Sequence, residues 1–103
     1  MSRVLVAPAA AADLARLITT HSLPADTPSR VRRSIEPLAR FPLLGASLEG
    51  RWRDYRFVLG PWRWMLIVCA YDDEADIVAV VTIQDGRTSP AASSSRLLSA
   101  ART

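Results

Sequence analysis

One stretch constrains this chain more than any other: Tyr55 to Arg87, YRFVLGPWRWMLIVCAYDDEADIVAVVTIQDGR. Tyr55, Phe57 and Leu59 alternate with Arg56 and Val58, and Gly60-Pro61 then interrupts. From Trp62 the alternation resumes through Tyr71, an acidic run Asp72-Asp73-Glu74-Ala75-Asp76 turns the chain, and Ile77 to Ile83 is almost wholly apolar before Asp85-Gly86. Period-two patterning between Gly/Pro and Asp breakers predicts three consecutive antiparallel strands.

The turns suggest a register. A two-residue loop at Gly60-Pro61 sets Leu59 against Trp62, Phe57 against Trp64 and Tyr55 against Leu66. A four-residue loop at Asp72 to Ala75 sets Trp64 against Ile83, Leu66 against Val81 and Val68 against Ala79. One face then reads Tyr55, Phe57, Leu59, Trp62, Trp64, Leu66, Val68, Ala79, Val81 and Ile83. The other carries Arg56, Val58, Arg63, Met65 and Gln84. This register puts Arg56 beside Arg63, with Arg87 arriving at the same end of the sheet.

Length and composition allow one domain with one core, since 103 residues are half hydrophobic. We expect a domain over residues 1–87 and a flexible Ser/Ala-rich tail over residues 88–103. The net charge is +3, but unevenly spread: Arg30 to Arg63 holds eight arginines against Glu36, Glu49 and Asp54. A basic middle of this kind suits phosphate or an acidic protein, although Arg30, Arg32 and Arg33 equally suit a solvated helix face. All 13 basic residues are arginine. Cys69 is the single cysteine and stands in an apolar run, so it reads as a buried, inert thiol of a reducing cytoplasm. Residues 1–12 lack the core of an export signal, and the run from Trp64 to Tyr71 is too short to span a bilayer.

Arg3 to Ala7 reads as a first strand. Pro8 opens a helix that continues through Thr20, with Ala10, Leu14, Leu17 and Ile18 on one face and Asp13 and Arg16 pointing away. His21 to Asp26 is a connection. Thr27-Pro28 starts a second helix, Thr as cap, with Val31, Ile35 and Leu38 as its apolar stripe. Pro37 should split that helix near residues 33–36. Phe41-Pro42 ends it, and Leu43 to Gly50 is a loop. The expected fold is α+β, ordered β-α-α-β-β-β: a small antiparallel sheet with a helical hairpin packed on its apolar face.

These segments together resemble the RelE/ParE superfamily, toxins of bacterial type II toxin–antitoxin systems. The resemblance covers Val4 to Arg87 and rests on APAAAADLARL, RFPLLGASLEGRWRDYRF and the GPWRWMLIVCAYDDEADIVAVVTIQDGR meander in that order. It implies a cytoplasmic protein silenced by a cognate antitoxin, with which it forms a hetero-oligomer. Some members cleave mRNA on the ribosome by driving a 2′-hydroxyl onto the adjacent phosphate, and others poison DNA gyrase without nuclease activity. For a nuclease, the family pattern maps onto Arg56, Arg63 and Arg87. The chain departs from it in having no lysine and no tyrosine or histidine in the tail.

Cleavage through the 2′-hydroxyl needs a proton acceptor, a proton donor and a stabiliser of the phosphorane charge. Arginine supplies the last through its planar fork but is a poor base. His21 reads as a loop residue away from the arginines, Tyr55 reads as core, and Asp54, Asp85 and Glu49 read as turn or surface acids. With the acid–base set incomplete, gyrase inhibition is slightly favoured over ribosome-dependent mRNA cleavage. A relic that only binds antitoxin is the third reading. Arg30, Arg33, Arg53 and Trp52 are the candidate partner-binding residues. One His and one Cys give no metal-ligand spacing, and GPW and DGR are turn dipeptides rather than phosphate loops, so no cofactor is expected. The edges of the short first strand and of the Tyr55 strand are candidate sites for antitoxin pairing, with Arg56 and Arg63 covered in the complex.

Overall fold

The computed structural model describes residues 1–88. The elements are β1 (Arg3–Val6), α1 (Pro8–His21), α2 (Thr27–Ile35), β2 (Ala46–Ser47), β3 (Arg56–Leu59), β4 (Met65–Asp72) and β5 (Ile77–Asp85), with 3-10 turns at Glu36–Ala39 and Gly50–Trp52. The tail assigned from the sequence lies, from residue 89 onward, outside the described residues.

The helix boundaries follow from local chemistry. Pro8 sits in the first turn of α1, where its missing N–H costs nothing. The helix closes on Ser22, left-handed at φ 51°, and Leu23 N–H returns to Ile18 O at 3.0 Å. At the start of α2 the cap position belongs to Asp26 rather than Thr27. Thr27 Oγ1 instead donates backward to Pro24 O at 2.6 Å and is fully buried. Pro37 acts as expected: the α-helix stops at Ile35 and tightens into the 3-10 turn.

Among the described residues the sheet has five strands in the order β1-β5-β4-β3-β2. The α+β architecture with helices on one face holds. Two details were not legible beforehand: β1 joins parallel to β5, and Ala46–Ser47 forms a fifth strand along the β3 edge. Thus β3 is not an open edge, since half of it is paired. The free edges are β1 and β2.

The register differs from the sequence expectation. Gly60-Pro61 does not make a two-residue turn. Leu59 pairs with Leu66 and Phe57 with Val68, so Gly60 to Trp64 forms a wider loop and both tryptophans leave the strand. Gly60 N–H to Met65 O (2.9 Å) and Met65 N–H to Trp62 O (3.0 Å) close that loop. The acidic turn spans residues 73–76, one residue later than expected, with Asp72 against Ile77. Asp72 Oδ1 accepts the Glu74 and Ala75 amides, and Asp76 takes the left-handed conformation at φ 55°. A bulge between Val68 and Cys69 then shifts the β4–β5 pairing by one residue.

The helices also cover the opposite face from the one expected. Ala10, Val31, Ile35 and Leu38 pack on Met65, Ile67, Cys69, Val78, Val80 and Ile83. Phe57, Leu66 and Val68, with Tyr55, Leu59 and Val81 beside them, form a second core on the back of the sheet under Leu48 and Trp52. The reason is that β4 is apolar at consecutive positions: Met65 to Val68 are all fully buried. Alternation carries no face information when both faces are buried. Ile83 alone of the expected β5 set meets the helices on the expected strand, because the bulge inverted its parity.

Asp13 does not point away from the fold. Beyond Val80, β5 has no β1 partner, and Asp13 Oδ2 on α1 accepts Thr82 Oγ1 (2.6 Å) and the Ile83 amide (3.2 Å) along that bare edge. Cys69 is buried, and burial pushes its thiol up to about 12, so it is inert as expected.

Candidate functional site: a cation–aromatic end of the sheet

The end of the sheet where Met65 meets Asp85 collects four separate pieces of chain. The wide β3–β4 loop brings Trp62 and Trp64, α1 brings His21, α2 brings Arg30, and the chain leaving β5 brings Asp85 and Arg87. Gly86 N–H to Trp64 O, at 2.6 Å, ties the loop to the end of β5.

The side chains stack in series. The Trp62 and Trp64 ring centroids are 6.3 Å apart with planes 24° from parallel. Arg30 lies over Trp62 at 5.8 Å and Arg87 over Trp64 at 5.1 Å, both within cation–π range. The His21 ring is 4.6 Å from Trp64, and its Nε2 is 3.5 Å from Asp85 Oδ2. Arg87 grips Asp85 with Nε at 2.9 Å and a terminal nitrogen at 2.7 Å, and its amide adds a third bond at 2.9 Å. That fork is the main reason the Asp85 carboxyl lies below its usual range, and in return Asp85 raises Arg87.

The expected convergence of three arginines is therefore corrected to two. Arg63, exposed in the loop, and Arg87 share this end. Arg56 pairs with Cys69, four residues farther along β4 than Met65, which is about 13 Å of strand. It faces the helix side beyond the helices. One of its terminal nitrogens donates to Gly45 O at 2.9 Å and, at 3.5 Å, to Leu43 O. It thus holds the loop leading into β2, because two peptide carbonyls under a loop need a donor.

His21 was expected in the interhelical connection, remote from the arginines. It is the last residue of α1, where the helix dipole favours a cation, and it adjoins Asp85 and the tryptophan under Arg87. No sequence signal marks that contact, which joins residues 64 apart. The Asp85-Gly86-Arg87 spacing, by contrast, permits the local fork. The proposed partner-binding residues fall into two groups. Arg30 and Arg33 are exposed on α2 over one face, while Trp52 packs partly buried against the back core with exposed Arg53 in the turn beside it. Trp52 also contacts the Tyr55 ring at 5.7 Å.

Between α1 and α2 runs an apolar groove of about 360 Å³, floored by Val80 and Ile83, walled by Leu14, Ile18, Val31 and Ile35, and rimmed by Arg32. Among the described residues no cluster of His, Cys, Asp and Glu is built to hold a metal ion, and no helix is long and apolar enough to cross a membrane.

Comparisons with known proteins agree with this architecture. A chain of the toxin–antitoxin complex RelBE2 from Mycobacterium tuberculosis superposes with a TM-score of 0.60 at 21% identity, covering 82% of this chain and 90% of that one. A conserved hypothetical protein of Helicobacter pylori, solved in solution, gives 0.51 at 16% identity, covering 81% and 92%. Both likenesses establish the fold. A search of curated proteins finds no match. The family model described as the ParE toxin of the type II toxin–antitoxin system parDE matches residues 4–90, nearly the whole described chain, and this protein belongs to that family.

Proposed function

We propose that this toxin arrests bacterial growth by binding, as a ParE-like inhibitor of DNA gyrase, and that a cognate antitoxin silences it. The disposition of the arginines carries this reading. A sheet-face nuclease would need Arg56, Arg63 and Arg87 together with uncommitted guanidinium edges. Here Arg56 is set apart and spent on two carbonyls, and Arg87 is forked onto Asp85. Charge already neutralised by a carboxylate offers little to a phosphorane.

The apolar groove between the helices supports the antitoxin partner. An amphipathic segment can lay its apolar side on Leu14, Ile18, Val31 and Ile35 while acids meet Arg32. The RelBE2 neighbour is itself a toxin–antitoxin complex.

A second reading has one observation in its favour. His21 beside Asp85 supplies the proton acceptor that the sequence lacked, next to a guanidinium and an indole, as ribosome-dependent mRNA cleavage requires. Induction without antitoxin separates the two. The binding reading expects arrest, filamentous cells, broken DNA and intact transcripts, with inhibition of purified gyrase. New ribosome-dependent 5′ ends in primer extension establish the nuclease instead, and no arrest leaves an antitoxin-binding relic.

A further inference from the structure

We propose that the cation–aromatic end of the sheet is the surface with which this toxin grips its protein target, and that it takes an acidic peptide segment of that target. The inference rests on the binding reading above and gives that reading a location.

Tryptophan and arginine are the side chains that most often dominate binding energy, and here Trp62, Trp64, Arg30 and Arg87 adjoin one another. They are also pre-organised. Each guanidinium lies on an indole, and three backbone hydrogen bonds of 2.9, 3.0 and 2.6 Å fix the loop that carries the indoles. Groups already held in place lose little freedom on binding. The arginine side chains remain 46% and 54% exposed. Arg30 commits its Nε to Asp26, at 3.0 Å, and Arg87 commits its Nε and one terminal nitrogen to Asp85. Arg87 is neutralised by that fork and lies on Trp64, while the terminal nitrogens of Arg30 are the donors suited to carboxylate oxygens.

The same geometry disfavours nucleic acid. A base needs an open aromatic face, yet Trp62 has Arg30 over it, and Trp64 has His21 and Arg87. Arg30, Trp62 and Trp64 do not line the apolar groove, so target and antitoxin contacts are separable.

The test uses full-length toxin released from its antitoxin, with gyrase supercoiling as the readout. Arg30→Glu reverses an exposed charge on α2 and leaves the buried core residues unchanged, with circular dichroism as the folding check because Trp62 beneath it packs against the helix-side core. Arg51→Glu, in the turn near Trp52, controls for net charge. Trp62→Ala removes the platform, with circular dichroism to check folding. We expect the half-inhibitory toxin concentration to rise at least tenfold for Arg30→Glu and Trp62→Ala. Arg51→Glu should stay within twofold, antitoxin affinity should not change for any variant, and a single-stranded oligonucleotide should not compete. Inhibition by Arg30→Glu within twofold of wild type overturns the proposal, as does an equal loss for Arg51→Glu or competition by the oligonucleotide. If wild type does not inhibit gyrase, the gyrase reading fails, and growth arrest becomes the readout for the same variants. Loss of arrest for Arg30→Glu, with Arg51→Glu unaffected and transcripts intact, retains the surface. Undiminished arrest, or wild type that causes none, overturns it.

Discussion

Asp85 does more at the residue scale than a turn acid would. It ends β5, takes the Arg87 fork and adjoins His21, so one carboxylate joins α1 and the chain leaving the sheet. Its pKa is lowered in the fold, chiefly by the Arg87 hydrogen bond, and that of Asp76 is lowered by the Ser2 and Tyr71 hydroxyls. A depressed carboxylate stabilises the fold above its unfolded value of about 3.9, and this contribution disappears as pH falls through the lower folded value. Asp85→Asn should therefore lower the thermal midpoint by a few degrees at pH 7. The gap to wild type should narrow as pH falls below the ordinary carboxylate range and close once it passes the lowered folded value, where the wild-type carboxylate is protonated as well. A gap that does not narrow as pH falls through the acid range would mean that Asp85 acts through shape rather than charge. The Asp85–Arg87 fork is open to anticipation from its spacing. The His21 contact is not, because it depends on where the end of α1 lands.

Among the elements, β2 shows how a two-residue strand can matter. Ala46 and Ser47 pair with Phe57 and Arg56, and the chain reaches them through Gly45, which lies against the β3 backbone. A Cβ on Gly45 would meet Phe57 O at 2.7 Å, a backbone atom that cannot swing aside. Gly45→Ala should push the loop off β3, loosen the Arg56 bond to Gly45 O and cost about 1–3 kcal/mol in denaturant unfolding. By contrast, a Cβ on Gly60 would meet Met65 Sδ at 2.6 Å, the flexible end of a side chain. Gly60→Ala should be the milder change. If Gly45→Ala proves neutral, β2 is not anchored as described. Propensity and pattern cannot reveal a strand this short, since its pairing comes from the neighbour it is pressed against.

The whole molecule is a sheet with a core on each side. A one-sided sheet alternates apolar and polar residues, but here Ile67 packs under the helices and adjacent Val68 under Leu48 and Trp52. Ile67→Ala and Val68→Ala should each cost about 2 kcal/mol or more, lowering the midpoint by several degrees in a domain of this size. A near-neutral Val68→Ala would mean that the back cluster is not a true core. This two-sidedness is also what misled the choice of face. With both alternants of β4 apolar, periodicity identifies the strand but not which side the helices take.

The amino-acid sequence by itself determined the two helices, four of the five strands, their order and the family. Proline positions, an alanine-rich helix, period-two runs and acidic turns are local properties, and local chemistry reads them out. It also marked the arginines and Trp52 as the residues to watch, while Trp62 and Trp64 read only as part of the apolar face. Only the tertiary structure decided the parallel docking of β1, the wide loop that freed the tryptophans, the bulge at Val68 and the meeting of His21 with Asp85. Each depends on contacts between distant residues, where a one-residue change of register turns a side chain to the other face. The arginines were therefore visible as letters, but their division into a loop clamp at Arg56 and a stacked cationic end at Arg30 and Arg87 was fixed by packing.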